Sequence, residues 1–73
     1  MYKYILTIEG MKCSMCEAHI NDIIRKNFDV KKLKSSHKKN ITSFISDDSL
    51  DEELLKDVIS TTGYKLIDIN ITK

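Results

Sequence analysis

The hydrophobic period of the chain switches repeatedly between that of a strand and that of a helix, and the order of the switches leaves few folds open. In residues 2–9 (YKYILTIE), Tyr2, Tyr4, Leu6 and Ile8 fall on one side, with Lys3, Thr7 and Glu9 on the other. That alternation predicts a half-buried strand. Gly10 follows, a residue that permits a turn a Cβ would resist. The run Ser14-Met15-Cys16-Glu17 has the form of a capping box, with Ser14 as cap and Glu17 answering from the third position. The helix it opens carries Ile20, Ile23, Ile24 and Phe28 on one stripe, at spacings of three and four.

Residues 30–36 and 41–46 read as two strands joined by a turn through His37, Lys38, Lys39 and Asn40. A second capping box, Ser49-Leu50-Asp51-Glu52, predicts a helix burying Leu50, Leu54, Leu55, Val58 and Ile59, with Gly63 as its stop. Residues 64–71 (YKLIDINI) form the last strand. The order is β-α-β-β-α-β. Because each β-α-β half crosses over right-handedly, it predicts an α+β, ferredoxin-like sandwich. Two helices would lie on one face of a four-stranded antiparallel sheet of order 4-1-3-2.

At 73 residues with no break in composition, the chain is expected to be a single domain spanning 1–73. A core of that size is marginal without a metal, a disulfide or very regular packing. Only two cysteines exist, Cys13 and Cys16, and a bridge between them would close too small a loop to stabilise much. They are therefore chemistry rather than framework. No apolar run is long enough for a signal peptide or a membrane span, so the expectation is a cytoplasmic protein with free thiols and no membrane insertion. A net charge of +1 argues against a nucleic-acid partner. The charge is unevenly spread. Arg25, Lys26, Lys31, Lys32, Lys34, Lys38 and Lys39 crowd the middle, and Asp47, Asp48, Asp51, Glu52, Glu53 and Asp57 follow, a pattern able to orient docking to a charged partner.

The functional signal lies in residues 10–16, Gly-Met-Lys-Cys-Ser-Met-Cys. Thiolates are soft ligands suited to Cu(I), which accepts as few as two or three of them. Cys16 falls in a first helical turn, where free N–H groups and the helix dipole favour an anion and lower a thiol pKa. Cys13 precedes the helix on a loop. Two ligands with an open side can release a metal by ligand exchange, as a closed four-ligand site cannot easily do. Lys12 adds an ammonium that would offset the net negative charge of a bis-thiolate Cu(I) centre and would repel a divalent ion. His19 lies one turn beyond Cys16 on the same helix face and is a possible additional ligand, since imidazole suits Cu(I) and zinc alike. His37 is a more distant candidate, on a turn at the same end of the sheet as the metal loop.

These residues resemble the Gly-Met-x-Cys-x-x-Cys loop of the heavy-metal-associated domain family, which includes copper chaperones and the N-terminal modules of copper-pumping P-type ATPases. The resemblance extends over nearly the whole chain, including the Gly63-Tyr64 pair before the last strand. It implies Cu(I) held by Cys13 and Cys16 and passed to a P-type ATPase or another heavy-metal-associated domain, with no enzymatic step. It also implies that Met11 is a core residue pinning the loop, not a third sulfur ligand. Met15 becomes an exposed apolar contact for a docking partner. Tyr64 matches the tyrosine that packs beside the thiolates in bacterial members. Lys12 departs from the Thr or Ser common there. Asn27-Phe28-Asp29 departs from the glycine usual before the second strand. A free-standing chain would be a chaperone or buffer, as a monomer or as a metal-bridged homodimer.

Three rivals follow from the same residues. A thioredoxin-like oxidoreductase also opens a helix with CxxC but presents substrate with a cis-proline, and this chain has no proline. An RNA-binding module of this fold needs stacking aromatics on its central strands, and only Phe44 and the first-strand tyrosines are available. Zinc, cadmium or mercury handling by the same two thiolates is the serious alternative.

Overall fold

Strand β1 (Tyr2–Glu9) runs through the middle of the sheet, and its alternation decides what is inside. Tyr4, Leu6 and Ile8 are fully buried under the helices, while Lys3 and Glu9 are exposed. The computed structural model describes residues 1–72. After β1 come α1 (Ser14–Asn27), β2 (Lys31–Ser36), β3 (Ile41–Ser46), α2 (Glu52–Ser60) and β4 (Lys65–Thr72). The sheet order is β2-β3-β1-β4, all neighbours antiparallel, which is the expected ferredoxin-like arrangement.

The core is closed by Ile20 and Ile24 from α1, Leu55, Val58 and Ile59 from α2, and Phe44 from β3. Tyr4 and Phe44 are cross-strand partners whose rings stack with centroids 5.1 Å apart. The buried Tyr4 hydroxyl accepts the Leu50 N–H at 2.7 Å, tying the entry of α2 to the sheet. That bond satisfies a phenol that would otherwise be costly to bury.

Three local expectations are corrected. Leu54 is 48 % exposed, at the margin of a buried stripe that runs through Leu55, Val58 and Ile59, and α2 begins at Glu52 rather than after Ser49. Leu50 precedes the helix and is only half-buried. Ile23 and Phe28 likewise pack against the core from its edge. The departure at Asn27-Phe28-Asp29 has a simple resolution. Phe28 leaves α1 in an extended conformation (φ −137°, ψ 146°), its N–H still bonded to the Ile24 carbonyl, so no left-handed glycine is needed.

The sheet places the β1–α1 loop beside two other connections. Ile8 N–H donates to the Asn40 carbonyl at 2.8 Å, bringing the β2–β3 turn to this end of the molecule. The segment between α2 and β4 arrives on the other side through Gly63 (φ +88°) and Tyr64.

Candidate metal centre

The loop from Gly10 to Cys13 is shaped by two constraints. Gly10 has φ +107°, a region that side chains disfavour, and a Cβ there would stand 3.1 Å from Cδ1 of Tyr64. Glycine is thus required both for the turn and for the close approach of the tyrosine. One residue on, Met11 is only 4 % exposed and belongs to the core. Lys12 and Cys13 then emerge at the surface.

Cys13 is itself the N-cap of α1, extended at φ −156° and ψ 174°, with no side-chain cap bond. Its carbonyl accepts from the N–H groups of Cys16 (3.1 Å) and Glu17 (3.4 Å). The capping box predicted from Ser14 and Glu17 is not formed. Ser14 is already helical, and Glu17 turns away to β2's end, where its Oε2 accepts from His37 N–H at 2.7 Å and contacts His37 Nδ1 at 2.5 Å. The first turn of α1 is left without a side-chain cap, and its unpaired N–H groups favour an anion there.

The two thiols are free, with their sulfurs 3.6 Å apart. The Cys16 thiol is brought down from 9.0 to about 7. The leading cause is the backbone N–H of Lys12, followed by the Tyr64 hydroxyl, against a smaller opposing effect of desolvation. Lys12 therefore acts on the sulfur through its amide, an influence that no side-chain argument from sequence reaches. Tyr64 is held above its usual value by the neighbouring Cys16 sulfur, with desolvation and the charge of both cysteines acting in the same direction.

No family model matches the sequence, and no curated protein sequence matches it. Solved structures do. A CopZ metallochaperone superposes with a TM-score of 0.76 at 23 % identity, covering 89 % of this chain and 98 % of its own. The N-terminal domain of ZntA in its Zn(II) form gives 0.79 at 18 % identity, covering 92 % and 90 %. A chain of the Atx1–Cu(I)–Ccc2a complex gives 0.74 at 27 % identity, covering 100 % and 97 %. The chain has the heavy-metal-associated fold.

Within this heavy-metal-associated fold, the remaining candidate residues separate clearly. Met15 stands 80 % exposed between the cysteines. It lines an open depression of ≈ 460 Å³ with Cys13, Cys16, Ala18, His19, Asp22 and Tyr64. His19 thus shares a surface with the thiols, yet among the described residues no three His, Cys, Asp or Glu side chains converge on one point. His37 is engaged by Glu17. That engagement went unseen in the sequence because Glu17 sat at the right spacing to serve its own helix end. The only signal pointing to it was the return of residues 37–40 to this end of the sheet.

Proposed function

We propose that this protein carries one Cu(I) ion on Cys13 and Cys16 and passes it to a P-type ATPase or to another heavy-metal-associated domain, as a copper chaperone or buffer. The observation that carries the reading is the sulfur pair itself: two free thiols 3.6 Å apart at an exposed loop, one of them with a pKa of about 7. A cysteine of that pKa is substantially thiolate near neutral pH and ready to ligate a soft ion. A pair with no third convergent ligand among the described residues suits Cu(I) better than Zn(II), whose protein sites are mostly four-coordinate. The exposed side leaves room for a partner's thiolates to enter before the original ones leave, and the apolar Met15 at the rim offers that partner contact area. The activity is binding and transfer rather than catalysis. It belongs to a reducing compartment such as the cytoplasm, where both thiols stay free. No helix among the described residues is long and apolar enough to cross a membrane.

The ZntA domain in its Zn(II) form keeps zinc as the second reading, with cadmium and mercury as soft ions for the same thiolates. Anaerobic titration with Cu(I) and with Zn(II), each against a competing chelator, separates the two. One Cu(I) per chain, displacing Zn(II), is expected. Lys12→Asp, which places a carboxylate beside Cys13, should narrow the gap by strengthening Zn(II). Preferential Zn(II) binding by the wild type would sink the copper assignment.

A further inference from the structure

Glu17 and Asn21 lie one helical turn apart on α1 and face the β2 edge of the sheet. Glu17 takes the His37 N–H and contacts the His37 ring, while Asn21 Oδ1 accepts from Ser35 Oγ at 2.6 Å. Ser35 in turn shares a 2.9 Å bond with the buried Thr42 of β3. Farther from the cysteines the seam becomes apolar, with Ile24 in the core and Phe28, Val30 and Leu33 packed against it. A hydrogen bond weakens steeply with distance and angle. The two polar links therefore set how far α1 is inserted along its axis. The upper one is partly shielded, with side-chain exposures of 25 % for Glu17 and 29 % for His37, and it is a charge-assisted bond. It is also covalently next to Cys16.

We infer that Glu17 is a positioning residue for the metal site, gripping the β2–β3 turn at His37 so that the Cys16 sulfur is held beside that of Cys13. This rests on the proposed Cu(I) site, and it gives His37 a role that is not ligation. Both donors of His37 converge on one carboxylate oxygen, so a glutamine oxygen can accept both while lacking the charge. Geometry and charge can thus be varied separately.

The experiment compares Glu17→Ala, Glu17→Gln and Asn21→Ala with the wild type in three measurements: Cu(I) affinity by chelator competition, alkylation rate of Cys16 by iodoacetamide in metal-free reduced protein, and hydrogen exchange of the His37 amide. Glu17→Ala is expected to lose about tenfold in Cu(I) affinity, to change its alkylation rate at Cys16 and to exchange His37 faster, as loss of a charged hydrogen bond predicts. Glu17→Gln, which keeps the acceptor and loses the charge, should lose less than Glu17→Ala, about threefold. Asn21→Ala should lose thermal stability yet keep Cu(I) affinity within about twofold, since its link is a full turn from the sulfur. Should Glu17→Ala fail to fold, His37→Ala removes the ring donor alone and is expected to cost about threefold in affinity. A Glu17→Ala protein with wild-type affinity and alkylation would overturn the inference. Equal losses in alanine and glutamine variants would replace positioning by charge, and equal losses in Asn21→Ala would reduce it to general destabilisation. If the wild type binds no Cu(I), the function proposed above fails, and the metal-free alkylation and exchange still decide the role of Glu17.

Discussion

The two helices of this protein begin from similar sequences and end up with opposite N-termini. Ser14-Met15-Cys16-Glu17 and Ser49-Leu50-Asp51-Glu52 are both capping boxes on paper. At α2 the end is closed: Asp51 is the N-cap, its carboxylate accepts from Glu53 N–H at 3.0 Å, and Glu52 and Glu53 complement the helix dipole. At α1 the cap position holds a cysteine with no side-chain bond, and the acidic residue of the first turn is committed to His37. One end is finished for stability. The other leaves its donors and its dipole for a sulfur anion, and forgoes the roughly 1 kcal/mol that a good cap contributes.

The sharpest break of this contrast is to remove a sulfur. Cys13→Ser or Cys16→Ser should each lower Cu(I) affinity by orders of magnitude, since one thiolate cannot hold the ion alone. The two variants should nevertheless differ without metal. Cys13→Ser installs a good cap at the open helix end and should raise the stability of the metal-free protein by about 0.5–1 kcal/mol in urea unfolding. Cys16→Ser, inside the helix, should not. Equal stabilities for the pair would deny that the α1 terminus is left unfinished.

The opposite change, at the closed end, comes next in size. Asp51→Ala should destabilise the protein by about 1 kcal/mol while leaving Cu(I) affinity unchanged. A parallel loss of metal binding would mean that the two helix ends are not independent.

A pH effect should belong to α1 alone. The Cys16 pKa is depressed on folding, from 9.0 to about 7, so the native state favours the thiolate more than the unfolded chain does. Its contribution to stability is complete above the unfolded value and is lost as the pH falls from 9.0 through about 7. Unfolding of the reduced, metal-free protein followed across that range should show stability rising with pH, and Cys16→Ser should flatten the rise. Cu(I) affinity should fall more steeply once the pH drops below about 7, because protons then compete for the sulfur.

The smallest effect is expected at His19. It borders the same depression as the thiols but joins no three-ligand cluster among the described residues, and ordering its exposed ring would cost on the order of 1 kcal/mol. His19→Ala should change Cu(I) affinity by less than about tenfold, with affinity curves parallel to wild type between about pH 5.5 and 7.5. A steeper wild-type curve would make this a Cys-Cys-His site.

What the sequence alone determined is what depends on neighbours along the chain. The alternation of Tyr4, Leu6 and Ile8 requires only a pleated strand, and the stripe through Ile20 and Ile24 only a helical pitch, so element order and sheet topology were legible. The Cys13–Cys16 pair was legible for the same reason, since its spacing at a helix start brings both sulfurs to one end. Gly10 announced its turn. The tertiary structure decided everything that required a choice between partners. Glu17 could bond its own helix or a turn twenty residues away, and the folded chain presents His37 with a backbone and a ring donor together. Tyr64 became a neighbour of Cys16 only because β4 lies beside β1, and Lys12 reached the sulfur through a backbone N–H rather than its ammonium. Leu54 fell outside the core because the sheet took the face of α2 through Leu55, Val58 and Ile59, and Asp51 instead of Ser49 took the cap. Periodicity is a local property of the backbone, whereas the partner of a polar group is settled by competition among all groups that folding brings within reach.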